Sequence, residues 1–450
     1  MTDTLVPTEG PETKLKRSAT TLLLFFFIVG DTLGAGIYTL VGGMAVDVGG
    51  ALWLPLIIAL VLALLTAGTY AELITKYPHA GGAARYAERA FDKPYLTFVI
   101  GFLMLSSGIT TSAALANAFA GDYLQELVDL PAVPVTLAFI AVLVVINLRG
   151  VRESLMTNVV ATLIEMTGLV IIIVVAAMVF GRGDGDVTRV TTFAEGISPT
   201  EGAFAATITA FFSFLGFEAA ANMAEEVKRP SRAYPRALFG AILTAGAVYL
   251  LIALGASIVV PTEQLATSDG PLLEVIDASG VDFPSWLFAA IALVAIANGA
   301  LLFMVMASRA TYGLAEAGLL PEIFGRVAAT RRTPWVAILA VGGVTMIMSF
   351  VGDVSVLAGT TVLLLVLVFI SANVSVLVLK KDRVEHEHFT APRVVPILAL
   401  AASIALLTQQ DSQTWIIAGC YVALGSVLFL IARHARNREL AAVADGPLDG

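Results

Sequence analysis

"FIVGDTLGAGIYTLVGG", residues Phe27 to Gly43, lies in the first long apolar run of the chain and holds one aspartate and five glycines. Each glycine inside a helix costs about 1 kcal/mol relative to alanine, and an intramembrane acid costs roughly 2.5 kcal/mol or more. Residues that oppose a stable span are retained where the helix is interrupted and its freed backbone groups have other work. The stretch therefore predicts a broken helix with an acid, Asp31, just before the break at Gly34-Ala35-Gly36.

Outward from this stretch, the composition places the chain in a membrane. Hydrophobic residues make up 58% of the 450, charged residues only 14%, and the mean hydropathy is +0.88. Apolar windows of about 20 residues recur along the whole length. They predict an all-α membrane protein with twelve spans, near 20–43, 49–75, 95–123, 132–149, 153–180, 203–224, 235–260, 285–314, 334–352, 356–379, 393–409 and 414–433. With that alternation, 24 of the 26 lysines and arginines fall on one side, and only Arg182 and Arg189 on the other. By the positive-inside rule both termini are expected in the cytoplasm; the cytoplasmic membrane is the expected location. The polar segment 1–19 reads as a cytosolic tail rather than a cleaved signal, and 434–450 as a second one. The lone Cys420 is expected to be a small core residue.

A second interrupted span lies five spans later, in "AFFSFLGFEAAANMAEE", Ala210–Glu226, where Gly216 stands beside Glu218 and Asn222. Broken helices at corresponding positions of two halves mark inverted-repeat transporters, whose half-helix ends face a substrate near the midplane. The competing reading is that small residues merely let helices pack closely. Two breaks in register favour the first. The expected organisation is one repeat over 20–180, a second over 203–379 and two additional spans over 393–433.

Four motifs then resemble a known family. "GAGIY" at Gly34–Tyr38, "YAELITKYPHAGGAARYAERAF" at Tyr70–Phe91, "FFSFLGFEAAANMAEEVKRPSRAYPRAL" at Phe211–Leu238 and "SRATYGLAEAGLLPEIF" at Ser308–Phe324 are similar to motifs of the amino acid–polyamine–organocation (APC) permeases. The similarity is closest to bacterial members that look like cationic amino acid transporters. It implies a five-plus-five inverted repeat with two extra helices, and amino acids or related amines as substrates.

The resemblance also gives the broken helices a chemistry. A zwitterionic substrate needs N–H donors for its carboxylate and carbonyls for its ammonium, and a helix break supplies both. By resemblance the carboxylate meets the N–H groups of Ala35, Gly36 and Ile37 beside Gly34, and the ammonium meets the carbonyls of Thr32, Phe212 and Leu215. Side-chain specificity is expected from Ser106, Thr110 and Asn117 in the third span and from Phe212, an aromatic that closes over the substrate. The two hydroxyls have the alternative of bonding back to their own helix. Gly36→Val is expected to abolish binding in a folded protein, and Gly42→Ala to be mild.

Three acids sit inside apolar spans, and each is a functional candidate by default. Glu218 follows the second break and is read as a gating or proton-sensing group. Asp31 has three readings: a proton site, a counter-ion for a cationic substrate, or a cap on the N–H groups freed at the break. Glu165 in the fifth span is read as the coupling group, with a structural role or a sodium site completed by Asn298 as alternatives. By the resemblance, several relatives place a lysine at the corresponding point, so a carboxylate here is a departure from that pattern. Glu72 and Arg85 are possible gate partners, and the cluster Lys228, Arg229, Arg232 and Arg236 fits a topology signal.

No histidine is expected at mid-depth: His79, His386, His388 and His434 read as loop or tail residues. A serine–histidine pair in the membrane and an HExxH motif are both lacking, so an intramembrane enzyme is disfavoured. A P-loop is lacking too, which argues against direct ATP drive. The expectation is a secondary carrier for amino acids, with the proton as coupling ion and symport as the mode, no cofactor, no metal site and no nucleic-acid partner. Exchange of amino acids or polyamines and sodium coupling are the alternatives.

Overall fold

A computed structural model describes residues 20–78, 82–149, 154–224, 227–329, 331 and 333–444. The expected tail 1–19, with Lys14, Lys16 and Arg17, lies outside the described residues, as do His79, Gly81, Arg152 and Arg332. Among the described residues all regular elements are helical. In chain order they are α1 (Thr21–Leu33), α2 (Ala35–Val48), α3 (Trp53–Lys76), α4 (Gly82–Phe91), α5 (Pro94–Phe119), α6 (Asp122–Gln125), α7 (Ala132–Arg149), α8 (Ser154–Arg182), α9 (Pro199–Phe212), α10 (Pro230–Val259), α11 (Thr262–Thr267), α12 (Pro271–Ala278), α13 (Ser285–Glu316), α14 (Trp335–Met348), α15 (Val354–Leu379), α16 (Val394–Leu407) and α17 (Ser412–Ala444). A 3₁₀ segment, Phe217–Met223, follows α9 after a short turn.

Nine helical stretches among the described residues are long and apolar enough to cross a membrane, counting α1–α2 as one and α5–α6 as one. The expected twelve spans are thus not all full-length. The windows at 334–352 and 393–409 fold as α14 and α16, 14 residues each, or about 21 Å at 1.5 Å per residue against a hydrocarbon core of roughly 30 Å. The window at 203–224 is the 14-residue α9, a turn and the 3₁₀ segment. Two smaller expectations also change. α17 continues to Ala444, so His434 stands on a helix rather than in a tail, and Cys420 on that helix is exposed rather than in the core.

Local sequence explains where these helices start. Thr20 caps α1 by accepting from Leu23 N at 3.3 Å, Ser198 caps α9 ahead of Pro199, and Asp353 caps α15 through Val356 N at 2.8 Å. The interior is built around α5, which is buried along most of its length and packs on α13 and α15. α10 packs on α1 and α3, and α2 on α9, so the two interrupted segments share one interior region. Large apolar side chains such as Ile416, Ile347 and Phe350 point outward, as suits a hydrocarbon solvent.

Candidate functional site

Both interruptions occur at glycines. Gly34 leaves the helical region with φ −46° and ψ −153°, and Gly216 adopts φ +115°, a conformation that favours glycine. The two breaks touch. A Cβ at Gly216 would lie 2.8 Å from Asp31 O and 2.9 Å from Asp31 Cγ, so the acid before the first break sits against the glycine of the second. Asp31 is also an electrostatic neighbour of both Glu218 and Glu165, which brings the three intramembrane acids into one region.

One residue that the sequence reading missed ties this region together. The hydroxyl of Tyr249, on α10, donates to Thr32 O at the end of α1 and to Ser213 O at the end of α9, the latter at 2.8 Å. The ring packs edge-on against Phe214, with centroids 5.2 Å apart. A lone tyrosine in an apolar span is a readable signal, because a buried phenol usually finds a partner. Its partners were not readable, since both are backbone carbonyls of distant segments.

The glycines of the first break divide by what surrounds them. At Gly36 a Cβ would lie 2.8 Å from Ser213 Cα, so this glycine is there for close packing of α2 on the second break. At Gly34 the nearest atoms would be Gly30 O at 3.4 Å and Asp31 O at 3.5 Å, ordinary contacts within the same segment. Gly42, expected to tolerate alanine, would place a Cβ 2.5 Å from Leu265 O, so that expectation is overturned by backbone that cannot yield.

The polar groups fit a binding region. No side chain caps the N-terminus of α2, which leaves the N–H groups of Ala35, Gly36 and Ile37 with the character of an anion site. Buried polar atoms without a hydrogen-bond partner include Thr32 Oγ1 and Ser213 Oγ at the breaks, and Glu218 Oε1 and Glu165 Oε2 of the two neighbouring acids; Ser106 Oγ, on α5, is a further buried atom without a partner. Such atoms are rare in folded interiors and call for an explanation. Glu218 accepts from Gly216 N at 2.9 Å through its other oxygen and so holds the second break. Phe212 is buried at the end of α9, and its carbonyl accepts from Leu215 N at 3.1 Å. Thr110 turns elsewhere: its hydroxyl donates to Ser106 O at 2.9 Å and pairs with the Tyr421 hydroxyl of α17 at 3.0 Å. Asn117 is likewise committed, donating to Ser349 O and Gly352 O.

Glu165 is fully buried on α8 and accepts from Asn298 Nδ2, on α13, at 3.0 Å. The same Nδ2 donates to Asn158 Oδ1 at 3.2 Å. Asn158, Thr162 and Glu165 recur at i, i+4 and i+7, a polar stripe legible in sequence that our reading left out. α8 also meets both halves of the first broken span. Tyr38 Oη donates to Glu165 O at 2.7 Å, and a Cβ at Gly30 would fall 1.9 Å from Thr162 Oγ1.

On the side carrying the basic loops, Glu72 pairs with Lys380 rather than with Arg85, because the loop after α15 folds back over the end of α3. Ala391 N donates to the same Glu72 oxygen at 2.9 Å. Among the described residues no cluster of histidine, cysteine and acid suits a metal ion.

Comparison with known proteins places this geometry in context. A family model described as "Amino acid permease" matches residues 20–432. Cationic amino acid transporter 9, chloroplastic, of Arabidopsis thaliana is 30% identical over 327 residues, 66% of this chain and 55% of that protein. Cationic amino acid transporter 4, vacuolar, of the same plant is 27% identical over 431 residues, 91% of this chain and 69% of its own length. The branched-chain amino acid permease BcaP of Bacillus subtilis is 23% identical over 459 residues, with 97% of each covered. The chain therefore spans about 55% of the first of these plant relatives and nearly all of the bacterial one.

Proposed function

The chain belongs to the amino acid permease family, a family of multi-pass membrane transporters and not of enzymes, and we propose that it carries amino acids across the cytoplasmic membrane by alternating access. The observation that carries this reading is the meeting of two glycine breaks, one ending in an uncapped helix N-terminus, in a buried region rich in polar atoms without partners. The substrate carboxylate sits on the N–H groups of Ala35, Gly36 and Ile37. Its ammonium sits among the carbonyls of Thr32 and Leu215, with Phe212 and Ser106 bordering the side chain. Thr110 contributes least, because it is held by α17. In this reading the twelve expected segments form repeats over 20–180 and 203–379 with two further segments over 393–433, and both termini are cytoplasmic.

Coupling is assigned to protons through Glu165, with Asp31 and Glu218 as the gating acids. Asn298 points its amide N–H group, a donor, between two oxygens, an arrangement suited to a carboxyl that gains and loses a proton and poorly suited to an oxygen cage for sodium. The printed names of the relatives point to cationic or branched-chain amino acids, which sets the panel to be tried. The test is counterflow in proteoliposomes with labelled cationic, branched-chain, small neutral and acidic amino acids. Saturable, stereoselective exchange of at least one of them is expected. Failure to move any amino acid or amine would sink the assignment.

A further inference from the structure

The basic cluster after the second break has a structural neighbour that a topology signal does not need. Arg232 and Arg236 are exposed near the start of α10 and share a face with Phe239, at i, i+4 and i+7. Phe239 lines a groove of about 230 Å³ whose walls are almost wholly apolar. The lining also includes a stripe of α3, Val61, Leu64 and Gly68, together with Phe389 and Val395. Phe239 and Phe389 stack obliquely with centroids 5.9 Å apart. Gly68 keeps the floor open, since a Cβ there would lie 2.9 Å from Val395 Cγ1.

The position of the groove identifies its occupant. Gly68 lies eight residues before the end of α3, and Phe239 nine residues after the start of α10. At 1.5 Å per residue both are roughly 12–14 Å from the basic loops, at acyl-chain depth in one leaflet. Val61, 51% exposed, opens the groove outward, where the surrounding solvent is lipid. Exposed cations flank the lining residues in the chain: Arg232 and Arg236 stand seven and three residues before Phe239, and Arg393 stands two before Val395. Arg232 meets Glu387 at 3.7 Å, but both side chains are largely exposed, 67% and 84%, so that pair holds little energy and yields to a stronger anion.

We propose that this groove is a binding site for an anionic phospholipid, with one acyl chain along Val61, Leu64 and Phe239 and the phosphate on Arg232, Arg236 and Arg393. The proposal rests on the membrane reading of the chain but on no step of transport. Charge complementarity selects the head group, and the apolar walls select a chain over a soluble anion.

The experiment uses the purified full chain in dodecylmaltoside, reading Tm as dioleoylphosphatidylglycerol, dioleoylphosphatidylcholine or inorganic phosphate is added. A saturable rise with the phosphatidylglycerol alone is expected. The double variant R232Q/R236Q should need about thirtyfold more of that lipid for half the rise, from about 1 kcal/mol for each arginine. Val61→Trp, which fills the groove from an exposed position, should lose the rise while its own Tm without lipid stays near that of the parent. Equal rises with both lipids, an undiminished rise in both variants, or a rise reproduced by inorganic phosphate would overturn the site. Because Tm reports binding without transport, this result stands or falls separately from the counterflow result.

Discussion

Gly36 and Gly34 are two residues apart and do different work, and the difference is measurable. Since a Cβ at Gly36 would press on Ser213 backbone, Gly36→Val should cost the fold about 1–3 kcal/mol or more, so the expectation of a folded but non-binding variant is replaced by one of lowered Tm. Gly34→Ala meets only ordinary contacts and should keep Tm within a few degrees while weakening substrate binding, read by the Tm gain on adding substrate. Tyr249→Phe removes the donor shared by Thr32 O and Ser213 O, leaving two buried carbonyls short of a partner at a cost of about 1–3 kcal/mol. If its Tm equals that of the parent, the tyrosine does not hold the breaks together. For Glu165→Gln the expected outcome is loss of accumulation driven by an imposed pH gradient with counterflow retained, because exchange requires no net proton movement. Unchanged accumulation would move the coupling role to Asp31, tested next as Asp31→Asn.

At the scale of elements, the loop between α15 and α16 works as a clamp on the end of α3. Its deepest contact is the ion pair of Lys380 with the buried Glu72, reinforced by Ala391 through both its N–H and its carbonyl. Lys380→Met should destabilise by about 3–5 kcal/mol, since it strands a buried carboxylate, and Glu72→Gln added to it should recover part of the loss. A double variant no more stable than the single one would count against a buried pair. The outer contact joins Asp382 to Tyr77 at 2.6 Å and to Arg89 at 3.0 Å. Those bonds, Tyr77 first and Arg89 second, hold the Asp382 carboxyl below the usual carboxylate range, while burial, aided by Asp382, pushes the Tyr77 phenol up to about 12. For a carboxyl lowered on folding, the contribution is complete above its unfolded value near ~3.9 and disappears only as pH falls through the folded value. Hydrogen exchange at the Tyr77–Asp382 contact, corrected for intrinsic rates, should therefore quicken only under acid stronger than that unfolded value.

For the whole molecule, the distribution of basic residues predicts a single orientation. In a Cys420→Ser background, a cysteine at Glu385 should react with a membrane-impermeant maleimide only from the cytoplasmic side, and one at Glu195 only from the outside; both positions are exposed. Labelling of both from the same side would break the proposed alternation of spans. Much of the architecture on which that alternation rests was open to reading in sequence, because span length and hydropathy are properties of contiguous residues and the bilayer acts on them directly. The short α14 and α16 escaped it, since an apolar window does not say how many of its residues the helix keeps.

By itself the sequence determined that the chain is helical and membrane-embedded, that two spans break at Gly34 and Gly216, and that Asp31, Glu165 and Glu218 are the acids to watch. These follow from local energetics: a glycine or a carboxylate is costly wherever its span lies, so it stands out without knowledge of neighbours. Only the tertiary structure decided that Gly36 and Gly42 serve packing, that Tyr249 bridges the breaks, that Asn298 donates to both Asn158 and Glu165, and that Glu72 chooses Lys380 over Arg85. Each of those contacts pairs residues far apart in the chain, and which of several chemically suitable partners meets a group depends on how the helices pack.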